Sequence, residues 1–311
     1  MSRLISAAIA RPNHAISRHP AARNVFSEKA HPLCRMKTKT REDDMDLQLS
    51  GQVAVVTGAS KGIGLAVTRT LLAEGVRVVA ASRKSTPELE ALSGDLIHVQ
   101  ADLMDADAPV RIVEQAVSEF GGLDILVNNA GGPPPGVALP RFSFLAPTDE
   151  DWRVMFEFNL FSVVRIVRAA ITPMLARGGG SIVNVSSGSA RLPAPMNVDY
   201  NAAKAGLNNL TKALSEEFAP QGIRVNTISP GPVRTAWWTE SGGAADIIAA
   251  QVGTDRDSVI NQVAPEMMKL STGRLVEPQE IADVVALLAS PRSASTTGAD
   301  FAVDGGFLKQ T

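Results

Sequence analysis

Apolar positions along the chain fall into an alternation of two kinds of segment. Short runs, apolar at nearly every position, predict strands buried on both faces at 52–57, 76–81, 96–100, 123–128, 181–186 and 224–229, with 301–303 as a last edge strand. Between them, apolar residues recur at three- and four-residue spacing over 63–73, 109–120, 149–176, 200–218 and 278–289, the pattern of helices with one buried face. The 149–176 segment opens on Asp149, Glu150 and Asp151, and 278–289 opens on Pro278; both suit a helix start. This order predicts an α/β fold: one doubly wound parallel sheet with helices on both faces. No internal repeat and no Gly/Ser-rich linker divides the body into two domains.

With 311 residues, of which 45% are hydrophobic, the chain can bury a sizeable core. Charge changes the picture at one end. The net charge of −2 conceals a segment, 1–41, with six Arg and three Lys against the single acid Glu28. That segment also holds Pro12, Pro20 and Pro32 and shows no sustained apolar period. Residues 1–46 are therefore expected to be a disordered basic extension. Its composition suits either an organelle transit peptide or a run translated from an upstream start, since Met45 stands just before the first strand. Residues 47–311 form the domain. Phe26 is the only aromatic among the tail's basic residues, so nucleic-acid binding is not expected. No apolar run approaches the ~20 residues of a membrane span. A cytoplasmic protein is expected, or an organellar one if the tail is a transit peptide.

Scarcity says more about chemistry. There is one Cys, one Tyr and four His. A single Cys excludes an internal disulfide, a CxxC redox pair and a Cys-rich zinc site. His14, His19 and His31 belong to the tail, which leaves His98 alone in the body. A His-based triad and a multi-His metal site are excluded, and no metal is expected. The acid–base group of any enzyme here is something other than His, and Tyr200, the lone tyrosine, becomes the candidate.

After the first strand comes Thr57-Gly58-Ala59-Ser60-Lys61-Gly62-Ile63-Gly64. Glycines at 58, 62 and 64 permit a tight turn and close backbone approach, and the helix that follows aims free N–H groups at a pyrophosphate. The spacing is neither G-x-G-x-x-G nor that of a P-loop. The second strand ends at Ser82-Arg83-Lys84, where an acid would receive the ribose 2′-hydroxyl of NAD. A guanidinium there pairs with a 2′-phosphate, and Lys61 adds a second charge, so NADP(H) is favoured over NAD(H). Tyr200 and Lys204 stand at i, i+4 on one helix face, where an ammonium favours the phenolate. Thirteen residues upstream of Tyr200, Ser186-Ser187-Gly188 closes the fifth strand with hydroxyls suited to a carbonyl oxygen.

On these residues the chain resembles a classical short-chain dehydrogenase/reductase, in particular the 3-oxoacyl-acyl-carrier-protein reductases. The resemblance covers about 49–307. It rests on Thr57-Gly58-x3-Gly62-x-Gly64, Asp102 after the third strand, Asn128-Asn129-Ala130-Gly131, Asn159, Ser187, Tyr200-x3-Lys204, Pro230-Gly231 and Asp304-Gly305-Gly306. It implies a Rossmann-type fold and an NAD(P)-dependent oxidoreductase. Tyr200 would be the general acid in reduction and the base in oxidation. Lys204 would lower the Tyr200 pKa and hold the nicotinamide ribose, and Ser187 would hold the substrate oxygen. Asn159 would support a water relaying protons to Lys204. Gly58, Ser60, Lys61, Gly62, Ile63, Gly64, Ser82 and Arg83 would bind the cofactor. Asp102 and Leu103 would meet its adenine end. Asn129, Ala130 and Gly131 would lie beside it, and Pro230, Gly231, Val233 and Thr235 would line the nicotinamide. A homotetramer or homodimer built on helices 149–176 and 200–218 is also implied.

Two segments bear on the substrate. About 236–272 would form a lid, with Trp237, Trp238, Ile247, Ile248, Met267 and Met268 either closing over an apolar molecule or packing the lid itself. The loop Gly131-Gly132-Pro133-Pro134-Pro135-Gly136, followed by Phe142 and Phe144, is stiffened by proline and expected at the site mouth. The leading substrate is a carbonyl or secondary alcohol, among them a 3-oxoacyl thioester. A sugar, polyol, steroid or xenobiotic ketone stands as the alternative within the class. A non-redox enzyme and a cofactor-binding sensor on the same scaffold stand outside it.

Overall fold

The computed structural model describes residues 45–137 and 139–309, so the basic tail lies outside the described residues. Seven strands form the sheet: β1 (Val53–Thr57), β2 (Arg77–Ser82), β3 (Leu96–Gln100), β4 (Ile125–Asn128), β5 (Gly180–Val185), β6 (Ile223–Pro230) and β7 (Asp300–Val303). All pair in parallel, in the spatial order β3-β2-β1-β4-β5-β6-β7. The principal helices are α1 (Gly62–Ala73), α2 (Ala108–Phe120), α3 (Asp149–Phe156), α4 (Ser162–Ala176), α5 (Val198–Phe218), α6 (Ala244–Val252) and α7 (Pro278–Ala289). Asp46–Thr311 makes one compact unit.

The continuous apolar runs are explained by the two cores they serve. A strand's side chains alternate between faces. In β1, Ala54 and Val56 join Val67, Leu71, Ile281 and Val285 in the core beneath α1 and α7. Val53 and Val55 join Ile112, Val113, Ile166 and Leu207 in the core beneath α2, α4 and α5. Each buried Val, Leu or Ile contributes roughly 1.5–3 kcal/mol. β1 and β4 are the strands between which the chain reverses its order of addition, so a crevice opens at their carboxyl ends, the usual ligand site of such sheets. The glycine turn and the Asn128–Gly131 segment flank it.

One expected element is interrupted. The helix expected over 149–176 is α3 and α4 joined by a π-helical turn, Glu157–Phe161. The Asn159 side-chain amide donates to the Met155 carbonyl at 3.1 Å, the acceptor that its own backbone N–H would use in a regular α-helix. The ladder slips by one residue there, as such turns do at functional sites. The lid region also has more structure than its sequence suggests, with four short helical pieces besides α6. Among the described residues no helix is long and apolar enough to cross a membrane.

Candidate active site

The crevice is built from its floor upward. Thr57, at the end of β1, is buried, and its hydroxyl accepts from the backbone N–H of Asn129 and of Ala130, both at 3.0 Å. Asn129 returns the tie: its amide donates to the carbonyls of Thr57 (2.9 Å) and Gly58 (3.2 Å). The turn is therefore stapled to the end of β4. Gly58 has φ of +66°, and a Cβ there would lie 2.9 Å from Asn129 Nδ2. A Cβ at Gly64 would fall onto the Gly58 carbonyl and 2.5 Å from the same amide. Only glycine admits this close approach. Beyond the turn, α1 begins with no side-chain cap and no acid in its first turn, so its leading N–H groups are left for an anion. A pyrophosphate fits this cradle.

At the end of β2 the structure supplies cations and no acid. Lys61, Arg83 and Lys84 are exposed, and Thr86 donates to the Ser60 carbonyl at 2.8 Å, tying the β2 loop to the glycine turn. Ser82, expected to contact the cofactor, is buried and engaged elsewhere. Its hydroxyl donates to the Lys84 carbonyl at 2.8 Å and lies 2.9 Å from His98 Nε2. A hydroxyl has one proton, so His98 is the donor in that second contact. The one histidine of the body thus orders the Arg83–Lys84 turn. Asp102 is exposed and accepts from the Met104 N–H at 3.0 Å, while Leu103 is buried in the core beneath α2.

Ser187 closes β5 and caps the short 3₁₀ turn that follows. Its hydroxyl lies 2.6 Å from that of Ser189 and stands close enough to the Tyr200 phenol to act on its acidity. Burial pushes the Tyr200 phenol up from its usual value, and Ser187 works in the opposite direction. The phenol is held neutral, ready to donate. Lys204, one turn along α5, is buried and donates to the Val185 carbonyl at 3.0 Å. Its Nζ stands 5.9 Å from the centre of the Tyr200 ring. Burial lowers its ammonium to about 8. Asn159 is fully buried, its Oδ1 accepting from Gly132 N–H at 2.8 Å and its amide donating to the Gly132 carbonyl at 2.9 Å. A Cβ on Gly131 would lie 2.8 Å from Lys204 Nζ and 3.1 Å from Asn159 Oδ1, so the bare backbone here lets both side chains converge.

On the other side of the crevice, Thr235 packs on Gly62, Gly231 packs on Asp304, and Val233 pairs with Val276. The lid has its own core: Trp238 is buried with Ala245, Val259 and Leu270, and Ile248 and Met268 pack against them. Trp237 and Met267 remain exposed. Trp238, Ile248 and Met268 thus take the packing role, which Trp237 and Met267 do not.

Sequence reasoning placed Thr57 in the glycine motif but gave it no part, since that part depends on two backbone N–H groups some seventy positions away. It missed Arg141 and Asp199. Neither lies in a motif, and they meet through an ion pair across fifty-eight positions.

With this geometry in view, the comparisons are informative. Residues 52–245 match the family model described as short chain dehydrogenase. A 2,3-dihydroxy-2,3-dihydro-p-cumate dehydrogenase of Pseudomonas putida is 36% identical over 272 residues, 84% of this chain and 95% of that protein. An acetoacetyl-CoA reductase of Cupriavidus necator is 34% identical over 265 residues, 83% of this chain and 98% of that protein. The crystal structure of L-sorbose reductase from Gluconobacter frateurii, complexed with NADPH and L-sorbose, superposes with a TM-score of 0.78 at 33% identity, covering 86% of this chain and all of that one.

Proposed function

The chain belongs to the short-chain dehydrogenase family and is an NAD(P)-dependent oxidoreductase acting on carbonyl and alcohol groups, and from that premise we propose that it prefers NADP(H) and works through Ser187, Tyr200 and Lys204. The observation that carries this reading is the set at the carboxyl end of β5: a neutral phenol beside a serine, one helical turn from a buried lysine, next to a glycine cradle shaped for a pyrophosphate. The cofactor supplies or accepts the hydride when bound. Gly58, Ser60, Lys61, Gly62, Ile63 and Gly64 hold its phosphates, Asp102 and Leu103 flank the adenine, and Asn129, Ala130, Gly131, Pro230, Gly231, Val233 and Thr235 line its other end. In reduction Tyr200 gives its proton to the carbonyl oxygen as negative charge grows there, and Ser187 holds that oxygen. In oxidation the same phenol takes the proton back. Asn159, held on Gly132, supports the route by which Lys204 is resupplied with protons.

NADP preference rests on the exposed Lys61, Arg83 and Lys84 and on the serine at the position of the usual acid. Arg83→Ala should weaken NADPH binding about tenfold or more and leave NADH nearly unchanged, since a guanidinium–phosphate pair is the term removed. Fluorescence titration with each cofactor checks this, and an unchanged ratio of affinities takes Arg83 out of the role.

For the substrate we propose a carbonyl carried on an apolar or amphiphilic chain, with a 3-oxoacyl thioester leading. Phe142, Phe144, Leu145, Trp237 and Met267 are exposed on the loop and lid that border the crevice, which supports the apolar reading. A sugar or polyol ketone is the second reading, supported by the likeness to the L-sorbose enzyme. NADPH oxidation measured against acetoacetyl-CoA, L-sorbose and plain cyclic ketones separates them: turnover confined to the sugar removes the thioester. The proposed assembly is a homodimer or homotetramer through α4 and α5, which between them leave an apolar groove lined by Val164, Val167, Ile171, Leu210 and Leu214. A monomeric mass by light scattering at micromolar protein would count against it. Cytoplasmic residence is the proposed location, with an organelle as the alternative.

A further inference from the structure

The loop after β4 reaches the catalytic helix through one side chain. Arg141 donates to Asp199 on α5 and, at 2.6 Å, to Asp151 on α3. Its backbone is bound as well: its N–H donates to Asn197 Oδ1 at 2.7 Å and its carbonyl accepts from Asn197 N–H at 2.9 Å. Asp199 is completely buried, and its other oxygen accepts from the backbone N–H of Tyr200 at 3.0 Å. Asp151 is already engaged in capping α3 with Thr148. The guanidinium is therefore the cation that balances the Asp199 carboxylate inside the first turn of α5, and it spans three separate elements. A buried carboxylate stripped of such a partner is strongly disfavoured.

We propose that Arg141 is a positioning residue for the reaction: through Asp199 it locks the loop after β4 onto the first turn of the helix that carries Tyr200, so that seating this loop and aiming the phenol are one event. This rests on the reading of Tyr200 as the acid–base group. The charged groups in contact with Tyr200 are Lys204 and Asp199 on its own helix; Arg141 from the loop is held on Asp199, with Asp151 on α3 on its other side. The arrangement also accounts for the loop's prolines. A stiff loop transmits the anchoring of Arg141 to its exposed neighbours Phe142 and Phe144 with less loss of order than a flexible one.

The single tyrosine makes the test direct, because tyrosinate absorbance reports Tyr200 alone. The full chain is titrated with and without saturating NADP⁺. Arg141→Gln leaves an unbalanced carboxylate and should move the Tyr200 midpoint up by about half a pH unit or more; Asp199→Asn leaves an unbalanced guanidinium and should move it down by a similar amount. Arg141→Lys keeps a cation beside Asp199 and secures the test if the Gln variant does not fold; its midpoint should stay near the parent's. On the carbonyl substrate, kcat of Arg141→Gln should fall about tenfold or more while NADPH affinity holds within about twofold. Midpoints that do not move, or that move in the same direction for both charge-removing variants, overturn the proposal. An active Tyr200→Phe enzyme would instead sink the acid–base assignment, while the opposed titration shifts would still register the link itself.

Discussion

Tyr200→Phe should lower kcat/KM for carbonyl reduction by ~10²–10⁴-fold, the span usually lost with a positioned general acid. In free energy that is about 3–5 kcal/mol of transition-state stabilisation. The ring stays and only the hydroxyl goes, so the folded state should lose no more than about one polar contact, ~1 kcal/mol. Cofactor affinity should change little. Stopped-flow NADPH oxidation, with a thermal melt and a cofactor titration on the same preparation, separates these effects. No other side chain in the protein carries a phenol, so none can substitute for it. Reduction persisting within about tenfold of the parent would end the assignment.

Lys204→Met should do two opposed things. Burial holds the ammonium at about 8 against an ordinary 10.5, so the folded state disfavours the charged form that the unfolded chain keeps. The sign follows from linkage. Below pH 8 both states carry the charge and folding bears the whole penalty, ~3 kcal/mol as an upper bound. Between pH 8 and 10.5 the folded protein releases its proton first, and the penalty fades. Methionine of similar length removes it at the expense of the bond to the Val185 carbonyl. The cofactor-free variant should therefore melt several degrees higher than the parent at pH 7, and the difference should shrink as pH approaches 10. Reductase activity should fall by about 10²-fold or more, since the cation beside the phenol and ribose is gone. Melting curves at the two pH values decide the first part. A gain of equal size at both would mean that packing, and not charge, is responsible. Stability gained as activity is lost marks a group retained for chemistry.

The parts of the site legible in the sequence share a physical character: each is short-range. The glycine turn is read from seven consecutive residues because its geometry depends on the absence of Cβ atoms at Gly58 and Gly64. Tyr200 and Lys204 are read from helical spacing, and the want of an acid at Ser82 from the end of one strand. The parts that were not legible are side chains whose partners come from elsewhere in the chain. Ser82 was expected on the cofactor; in the fold it is bound to the Lys84 carbonyl and to His98 on the neighbouring strand. Asn159 lay within an expected continuous helix, and the π turn appears only once its amide competes for the Met155 carbonyl. Lys204 is placed beside Tyr200 by helical spacing, but that its ammonium is buried against the Val185 carbonyl and itself depressed is set by β5, nineteen positions away.

The sequence by itself determined the layered α/β architecture, the glycine turn that opens the crevice and the one candidate for a proton-moving phenol. Strand burial, helix amphipathicity and glycine geometry are set by residues a few positions apart, and one tyrosine in 311 residues leaves no alternative phenol. Only the tertiary structure decided how that phenol is poised. Its acidity depends on burial and on Ser187, and the first turn of its helix is held by an ion pair between Arg141 and Asp199 whose members lie far apart in the chain. Electrostatic energy is governed by distance in space and by the exclusion of water, and neither exists along the chain until the sheet brings its strand ends together.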